Sequence, residues 1–183
     1  MQQSQKSFKK ILLHICCANC TTTCIDRLRE RKFKVSGFFY NPNIHPEEEY
    51  LRRKDNLKLV ADSFKLPLID SGYDTKEWFD FIKGYEKDVE GGKRCQLCFE
   101  MRLRKTYETV LKENFDFFTT TLTISPHKNS LIINQIGSLI GGKKFLAENF
   151  KKKAGFIDAM KTSKQMGLYR QNYCGCIFSK KDS

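Results

Sequence analysis

The sequence predicts an α/β fold with a mainly parallel sheet flanked by helices, of the Rossmann-like or nucleotide-hydrolase-like kind. Two observations support this prediction. Short runs of β-branched and aromatic residues alternate along the chain with longer helical patterns, as in successive β–α–β units. The 183 residues contain no linker, repeat or low-complexity tract, so we expect one domain, residues 1–183.

The first half of the chain contains three predicted strands separated by helices. The apolar run KKILLHI indicates the first strand, and prolines at 42 and 46 mark the turn after the second. Three glutamates at 47–49 suit the positive end of a helix dipole and indicate a helix start. The predicted strands are 9–15, 34–40 and 66–69, and the predicted helices are 21–31, 47–64 and 76–85.

The second half continues the alternation. The run FDFFTTTLT is rich in aromatic and β-branched residues and indicates a fourth strand, while two glycines at 141 and 142 end the helix that follows. The predicted helices are 95–113, 129–139 and 158–166, and the predicted strands are 115–123 and a short fifth strand at 145–146.

Unusual loops follow three of these strands. Ligands bind beyond the carboxyl ends of parallel strands in open α/β sheets. Cys16 and Cys17 directly follow the first strand, Asn41 follows the second, and the segment 125–128 (SPHK) follows the fourth. We therefore expect these loops to meet at one rim of the sheet and to form the functional site.

The chain is strongly basic. Thirty-three Lys and Arg oppose 21 Asp and Glu, which gives a formal net charge of +12 and a pI of about 9.3. An enzyme of a small neutral metabolite has no need of such a field, whereas a polyanion partner gains encounter rate and affinity from it. The charge therefore favours a nucleic-acid partner, with a solvated lysine-rich surface as the alternative.

The cysteine content indicates metal or redox chemistry. We expect neither a targeting segment nor an apolar membrane span of ~20 residues, and hence a cytoplasmic protein with no membrane partner. Thiols stay reduced there, so structural disulfides do not account for the eight cysteines. Clustered cysteines in a reducing compartment are typical of metal ligands or redox catalysts.

A C-x-x-C motif and an adjacent cysteine pair are the most informative pattern. Cys95 and Cys98 are spaced to present two thiolates to one metal at a helix start, where the dipole favours the thiolate. Four soft thiolates suit zinc or an iron–sulfur cluster. The neighbours Cys16 and Cys17 cannot easily bind one tetrahedral zinc but can reach two irons, which favours a cluster. Zinc stays an alternative, because Cys17 and Cys20 could form a second knuckle.

The remaining cysteines have other expected roles. Cys20 is a candidate ligand, either in place of Cys16 or for a second metal, whereas Cys24 is expected to be a small buried hydrophobic residue. Cys174 and Cys176 are separated by one glycine, which places them near disulfide distance. Because so small a ring is strained and easily reduced, we expect a redox-active pair, with metal ligation as the alternative.

Five segments together resemble a known family. They are LHICCANC at 13–20, FYNPNIHP at 39–46 with EEYLRR at 48–53, GGKRCQLCFEMRLRKT at 91–106, TTLTISPHKN at 120–129, and GLYRQNYCGCIFS at 167–179. In this order, and over nearly the whole chain, they are similar to the epoxyqueuosine reductases of the QueH type. Asn19 stands where relatives often carry Pro, a departure that spares every thiol.

The resemblance implies a single catalytic domain that reduces the epoxide of epoxyqueuosine in tRNA to queuosine. This is the last step in building that wobble base, and it is implied to need no cobalamin. The resemblance also implies a 4Fe–4S cluster held by four cysteines, Cys16, Cys17, Cys95 and Cys98. Cys174 and Cys176 would be the redox-active pair. A second metal, iron or zinc, is also implied, with an aspartate ligand to be chosen among Asp70, Asp74 and Asp88.

The reaction requires groups that activate the epoxide and bind the tRNA. The leaving oxygen needs a Lewis acid or a proton donor, and the candidate donors are His14, His127 and Tyr169. A lone histidine at the end of an apolar strand, such as His14, is more often structural. The candidate RNA contacts are Lys128, Tyr169, Arg170 and Tyr173, together with the lysine run at 151–153. An electron donor is a further expected partner.

Three other functions compete with this interpretation. A zinc-binding nucleic-acid module would be colourless and redox-inactive. A dithiol–disulfide oxidoreductase would need no iron, and its charge would be incidental. An ATP-dependent tRNA-thiolating enzyme should carry a Ser/Gly-rich phosphate loop after its first strand, where the segment 16–20 (CCANC) stands instead.

Overall fold

The computed structural model describes residues 8–180; residues 1–7, part of the polar and basic start of the chain, and residues 181–183 lie outside it. Four parallel strands form one sheet in the order β3-β2-β1-β4. The strands are β1 (Lys9–Ile15), β2 (Phe33–Phe39), β3 (Leu68–Asp70) and β4 (Phe117–Thr120). The predicted α/β class with a parallel sheet is confirmed.

Helices cover both faces of the sheet. They are α1 (Thr21–Glu30), α2 (Glu47–Ser63), α3 (Thr75–Phe81), α4 (Lys93–Lys112), α5 (Ser130–Gly141) and α6 (Gly155–Gln165). Successive side chains of a strand point to opposite faces, so Leu13 of β1 joins the core beneath α1, α2 and α6, while Leu12 joins the core beneath α3, α4 and α5. Because β1 is covered on both faces, its sequence is continuously apolar at its centre.

The strand order creates a switch point between β1 and β4. The helix after β1 crosses to one face, whereas α4, which leads into β4, lies on the other. A crevice therefore opens between the carboxyl ends of these two strands. The hydroxyl of Thr121, just beyond β4, accepts a hydrogen bond from the amide of Cys16, just beyond β1, at 3.2 Å. The first cysteine thus lies at the position where this fold usually binds ligands.

Several predicted element boundaries were wrong. Residues 145–146 do not form a fifth strand; Phe145 makes only an isolated bridge to Phe118. The fourth strand stops at Thr120, because its hydroxyl accepts from the amide of Leu122 at 3.1 Å and starts a 3₁₀ turn, Thr121–Ile124. The helix predicted at 76–85 ends at Phe81.

Three further 3₁₀ turns connect the elements: Ala18–Cys20, Gly142–Lys144 and Ile177–Ser179. The first and last of these lie beside cysteine motifs. Within residues 8–180, no helix is long and apolar enough to span a bilayer.

Candidate active site and metal centre

Three cysteine thiols gather at the carboxyl end of β1. Cys17 is in extended conformation, and the 3₁₀ turn Ala18–Cys20 then folds the chain back. The sulfur atoms of Cys16, Cys17 and Cys20 consequently all lie within 4.8 Å of one another, and the first two are 3.8 Å apart. Among the described residues, no other three or more potential ligand atoms lie this close to one another. Soft sulfur donors at this spacing suit zinc or iron.

The three thiols share their protons unequally. Hydrogen bonds from Cys17 and then Cys20 hold the pKa of Cys16 well below its usual value, despite burial. The hydrogen bond to Cys16 raises the pKa of Cys17 to about 11 and that of Cys20 well above the ordinary thiol value. Of the three thiols, Cys16 therefore loses its proton most readily, while Cys17 and Cys20 keep theirs. A cation would replace those two protons, because metal ligation requires thiolates.

Asn19 connects this cysteine loop to the C-terminal segment. Its side-chain amide donates to the carbonyl oxygen of Tyr169 at 3.0 Å and to the side-chain oxygen of Gln171 at 2.9 Å. Its oxygen accepts from the hydroxyl of Ser163. Asn19 is 2% exposed, so these hydrogen bonds are made out of water. They fix the position of the loop relative to the segment that leads to Cys174.

The other four motif cysteines line a second space, a cavity of about 140 Å³. Cys95 and Cys98 lie in the first two turns of α4, where the start of the helix presents both side chains to the cavity. Cys174 and Cys176 reach it from the C-terminal segment. Burial raises the pKa of both Cys95 and Cys98. These two thiols are therefore protonated at neutral pH unless a metal or cluster binds them.

Cys174 and Cys176 have opposite pKa shifts. The hydrogen bond from Cys176 is the main cause that lowers the pKa of Cys174 to about 5, and the amide of Cys176 also donates to that sulfur at 3.4 Å. The same partnership raises the pKa of Cys176. Gly175 between them has φ +101, and a Cβ there would lie 2.8 Å from the Ile44 side chain. Glycine is thus required for the turn that brings the two thiols together.

Two buried arginines complete the surroundings of the thiols. Arg53, on α2, donates to the carbonyl oxygens of Tyr173 and Cys174, each at 3.1 Å. Arg102, on α4, lines the cavity and donates to the side-chain oxygen of Asn43 at 3.0 Å. The charge of Arg102 adds to the lowering of the Cys16 pKa, whereas at Cys98 it only partly offsets the effect of burial, which raises the pKa. Sequence reasoning missed both arginines, although Arg102 follows Cys98 by four residues and hence shares its helix face.

The structure divides the predicted cluster ligands between two neighbouring groups. Cys16 and Cys17 lie with Cys20, whereas Cys95 and Cys98 lie with the Cys174–Cys176 pair. Lys128 connects the two groups, because its charge lowers the pKa values of both Cys16 and Cys174. All eight cysteines are free. Cys24 is fully buried in the apolar core, as expected of a small hydrophobic residue.

The proton-donor candidates differ in their access to the cavity. His127 lines it. His14 is fully buried, and both ring nitrogens have partners: Thr120 hydroxyl at 2.9 Å and Tyr40 carbonyl at 3.2 Å. Burial, aided by the charge of Arg102, lowers the pKa of His14 to about 3, so it is neutral and structural. Tyr169 does not line the cavity.

The predicted RNA contacts lie in two places. Lys128 lines the cavity, and Arg170 is exposed. Tyr169 donates its hydroxyl to Glu49 at 2.8 Å, and Tyr173 donates its hydroxyl to the carbonyl of His45. Both hydroxyls are thus used within the protein, and the guanidinium of Arg52 lies over the Tyr169 ring, 3.6 Å from its centre.

The three candidate aspartates have local partners. Asp70 pairs with Lys54, and Asp74 caps α3 by accepting from the amide of Glu77 at 3.0 Å. Asp88 accepts from the amide of Arg94 at 2.9 Å. None of the three belongs to the Cys16–Cys17–Cys20 group. The acidic residue that lines the cavity is Glu90, and sequence reasoning did not select it.

Comparison with known proteins assigns the chain to a family. Residues 11–182 match the family model described as Epoxyqueuosine reductase QueH. Epoxyqueuosine reductase QueH from Thermotoga maritima is 40% identical over 175 residues, covering 92% of this chain and 89% of the relative. The protein of that name from Haemophilus influenzae is 39% identical over 178 residues, covering 95% of this chain and 73% of the relative.

One solved structure shows a weak likeness. U34-tRNA thiolase NcsA from Methanococcus maripaludis, with its 4Fe–4S cluster, aligns over 94% of this chain and 78% of its own. The TM-score is 0.43 and the sequence identity is 9%, values too low to indicate shared chemistry.

Proposed function

The chain belongs to the QueH family of epoxyqueuosine reductases, and on this premise we propose that it reduces the epoxide of epoxyqueuosine in tRNA to the cyclopentene of queuosine. The observation that carries the proposal is the cavity lined by Cys95, Cys98, Cys174 and Cys176 beside the three-thiol group. The protein is accordingly an oxidoreductase. Its independence from cobalamin and its cytoplasmic location are parts of the proposal.

The cysteines fit an iron–sulfur cofactor. Cys16, Cys17 and Cys20 offer three sulfur donors within 4.8 Å, and Cys95 and Cys98 offer two more from the adjacent cavity wall. We propose Cys16, Cys17, Cys95 and Cys98 as ligands of a 4Fe–4S cluster, with Cys20 left for the same cluster or for a second metal, iron or zinc. Such a cluster, when bound, supplies electrons one at a time.

The Cys174–Cys176 pair can supply the two electrons that the reduction of the epoxide consumes. Conversion of the epoxide to the alkene breaks two C–O bonds, forms the C=C π bond, consumes two electrons and two protons, and releases water. Oxidation of the Cys174 thiolate and the Cys176 thiol to a disulfide supplies two electrons and one proton. The depressed pKa of Cys174 and the raised pKa of Cys176 support this division of roles. An electron donor must then reduce the disulfide again.

The second proton must come from another group at the cavity. His127 lines the cavity and is exposed to solvent, so it can take up a proton and deliver it to the leaving oxygen. Lys128 and Arg102 are cationic side chains in the same wall, and they favour negative charge developing on that oxygen. Arg102 is 3% exposed, so its field in the cavity is weakly screened by water.

The modified base of the tRNA must leave the stack of neighbouring bases to reach the cavity. Unpaired loop bases leave the stack at low cost, so we propose that the modified base enters the cavity at the sheet rim. Lys128, Tyr169, Arg170 and Tyr173 stay the proposed contacts to the RNA. The net charge of +12 supports a polyanion partner.

Anaerobic purification followed by a tRNA assay tests the function. Iron, zinc and sulfide are measured on the protein, which is then incubated with epoxyqueuosine-containing tRNA and a chemical reductant. The expected result is a broad visible absorption band, iron and sulfide in cubane amounts, and nucleosides that have lost one oxygen atom. A colourless protein that carries only zinc after attempted reconstitution would replace the proposal with a zinc-binding nucleic-acid module.

A further inference from the structure

A basic groove lies beside the cysteine cavity. Its volume is about 1070 Å³, and it is walled by the C-terminal part of α1, the start of α5 and the loop at 147–153. Six cationic side chains line it: Arg27, Arg31, Lys128, Lys151, Lys152 and Lys153. The groove has only two carboxylates, Glu30 and Glu148, and Glu148 is paired with Arg31. The groove therefore carries a large excess of positive charge.

The groove adjoins the cavity. His127, Lys128 and Asn129 line both spaces, so a strand that lies in the groove passes directly beside the cysteine cavity. Asn129 caps α5 by accepting from the amide of Leu131 at 2.9 Å, which fixes the backbone of this shared wall. The shared wall places one lysine at the junction between the two spaces.

Arg27 holds in place the loop that carries the three lysines at 151–153. Arg27 donates to the carbonyl oxygen of Phe150 at 2.8 Å and to that of Lys153 at 2.9 Å. A Cβ on Gly155 would lie 1.9 Å from the Phe150 carbonyl oxygen, so only glycine allows this close approach. The guanidinium of Arg27 thus positions the loop, and the side chains of Lys152 and Lys153 stay exposed.

Two lysines of the groove are held close to each other. The ammonium group of Lys151 donates to the backbone carbonyl of Lys128 at 2.7 Å. Burial and the charge of Lys128 both lower the pKa of Lys151. The two ammonium groups therefore repel each other, and a bound phosphate would offset that repulsion.

We propose that this groove binds the phosphate backbone of the tRNA strand adjoining the nucleotide whose base enters the cysteine cavity. The inference rests on the proposed function, because that function places the base in the cavity. Lys128 then contacts the phosphate nearest the flipped nucleotide, and the lysines at 151–153 contact those farther along the strand. Phosphate contacts of this kind set the position of the RNA without reading its sequence.

Salt-dependent RNA binding tests the groove. The holoenzyme variant Lys152→Ala/Lys153→Ala is compared with wild type and with a control, Lys34→Ala/Lys112→Ala. Lys34 lies at the start of β2 and Lys112 at the end of α4, so both control lysines are exposed at the opposite end of the sheet. The dissociation constant for a fluorescent RNA anticodon stem-loop is measured by anisotropy over a series of KCl concentrations.

The groove variant is expected to bind the stem-loop about 10-fold more weakly at low salt. Its slope of log affinity against log salt should be smaller by about 1.4, because each of the two lost contacts to single-stranded phosphate removes roughly 0.7. The control loses the same two positive charges as the groove variant but should retain most of the wild-type slope. Equal slopes for both double variants would contradict phosphate binding in the groove and would show that only the net charge of the protein matters.

Turnover on epoxyqueuosine-containing tRNA separates this inference from the proposed function. A raised KM with unchanged kcat in the groove variant supports both. If the wild type reduces the tRNA and the groove variant has the same KM and kcat as the control, RNA binding in the groove is contradicted but the reductase function stands. A groove-dependent salt slope without any reduction by wild type overturns the reductase function and retains the RNA-binding groove.

Discussion

Arg53 holds Cys174 through the backbone: its guanidinium donates to the Cys174 carbonyl oxygen at 3.1 Å. The same group donates to the Tyr173 carbonyl at 3.1 Å and forms a buried ion pair with Glu49 at 2.6 Å. A side chain on α2 therefore positions the segment that carries the reactive thiol. The chain needs such an anchor because the turn at Gly175 leaves the neighbouring carbonyls outside any regular ladder.

Replacing Arg53 is expected to destabilise the protein strongly. Arg53→Ala leaves two carbonyls and the buried Glu49 carboxylate without their cation, which should cost about 3–5 kcal/mol in the free energy of unfolding. Urea unfolding of the reduced, metal-free protein measures it. Arg104→Ala is the control, because Arg104 is exposed and pairs only with Glu100 on its own helix. That control should cost under about 1 kcal/mol; a similar cost for Arg53→Ala would contradict the anchoring role.

Cys174 should react as a thiolate at neutral pH. Its pKa is lowered to about 5, so the reactive fraction rises as pH increases through 5 and is complete by pH 7. Iodoacetamide modification of Cys174, followed by peptide mass spectrometry, should show a rate that levels off above pH 6. An ordinary thiol would continue to gain reactivity up to pH 8–9.

The contribution of the hydrogen bond from Cys176 can be separated by substitution. Cys176→Ala removes the thiol that donates to Cys174, so the pH midpoint for modification of Cys174 should move upward. Cys24→Ala, a change in the apolar core, serves as the control and should leave that midpoint unchanged. A midpoint near 9 in the wild type would show that Cys174 is not activated.

The sequence predicted much of this site from motif position alone. The expectation that loops after β1, β2 and β4 meet at one rim holds, because parallel strands place their carboxyl ends together. Local pattern also identified β1, since a strand covered on both faces must be continuously apolar. The predicted fifth strand failed because Phe145 is an aromatic residue packed on Phe118 in the core rather than a member of a ladder.

Long-range partners could not be predicted from the sequence. Arg53 lies in a run of charged residues on α2 and has the pattern of a solvated position, yet it is 3% exposed. Its burial depends on the C-terminal segment, 120 residues away, returning across α2. Asn19 and Ser163 are likewise joined only by the packing of α6 against the cysteine loop. Periodicity reports which face of an element is covered but not which distant chain covers it.

Removing individual cysteines should distinguish metal ligands from core residues. Cys16→Ala is expected to lose most of the bound iron, because Cys16 belongs to the three-thiol group and its pKa is held below that of an ordinary thiol. Cys24→Ala should retain the wild-type iron content, because its side chain is fully buried among apolar residues, and should lose roughly 1 kcal/mol of stability. Iron and sulfide assays after anaerobic reconstitution measure the difference. If both variants lose iron while circular dichroism shows that both are folded, Cys24 must be counted among the metal ligands.

The link between the cysteine loop and α6 can be measured by a double-mutant cycle. Asn19→Ala leaves the Tyr169 carbonyl and the Ser163 hydroxyl without their partner in a buried site, and should cost about 2–3 kcal/mol. Ser163→Ala removes one hydrogen bond and should cost about 1 kcal/mol. Because the two side chains share that bond, the double variant should be more stable than the sum predicts, by roughly 0.5–1.5 kcal/mol.

The Asn19→Ala variant also tests whether the hydrogen bonds of Asn19 position Cys174. Asn19 holds Tyr169 and Gln171, which begin the segment leading to Cys174. Asn19→Ala should therefore increase the rate of Cys174 modification at pH 7, where the thiolate is already formed and access alone limits the reaction. Asn172→Ala, an exposed change on the same segment, should leave both stability and modification rate near wild type. If Asn19→Ala lowers stability without changing the modification rate, Asn19 stabilises the fold but does not position Cys174.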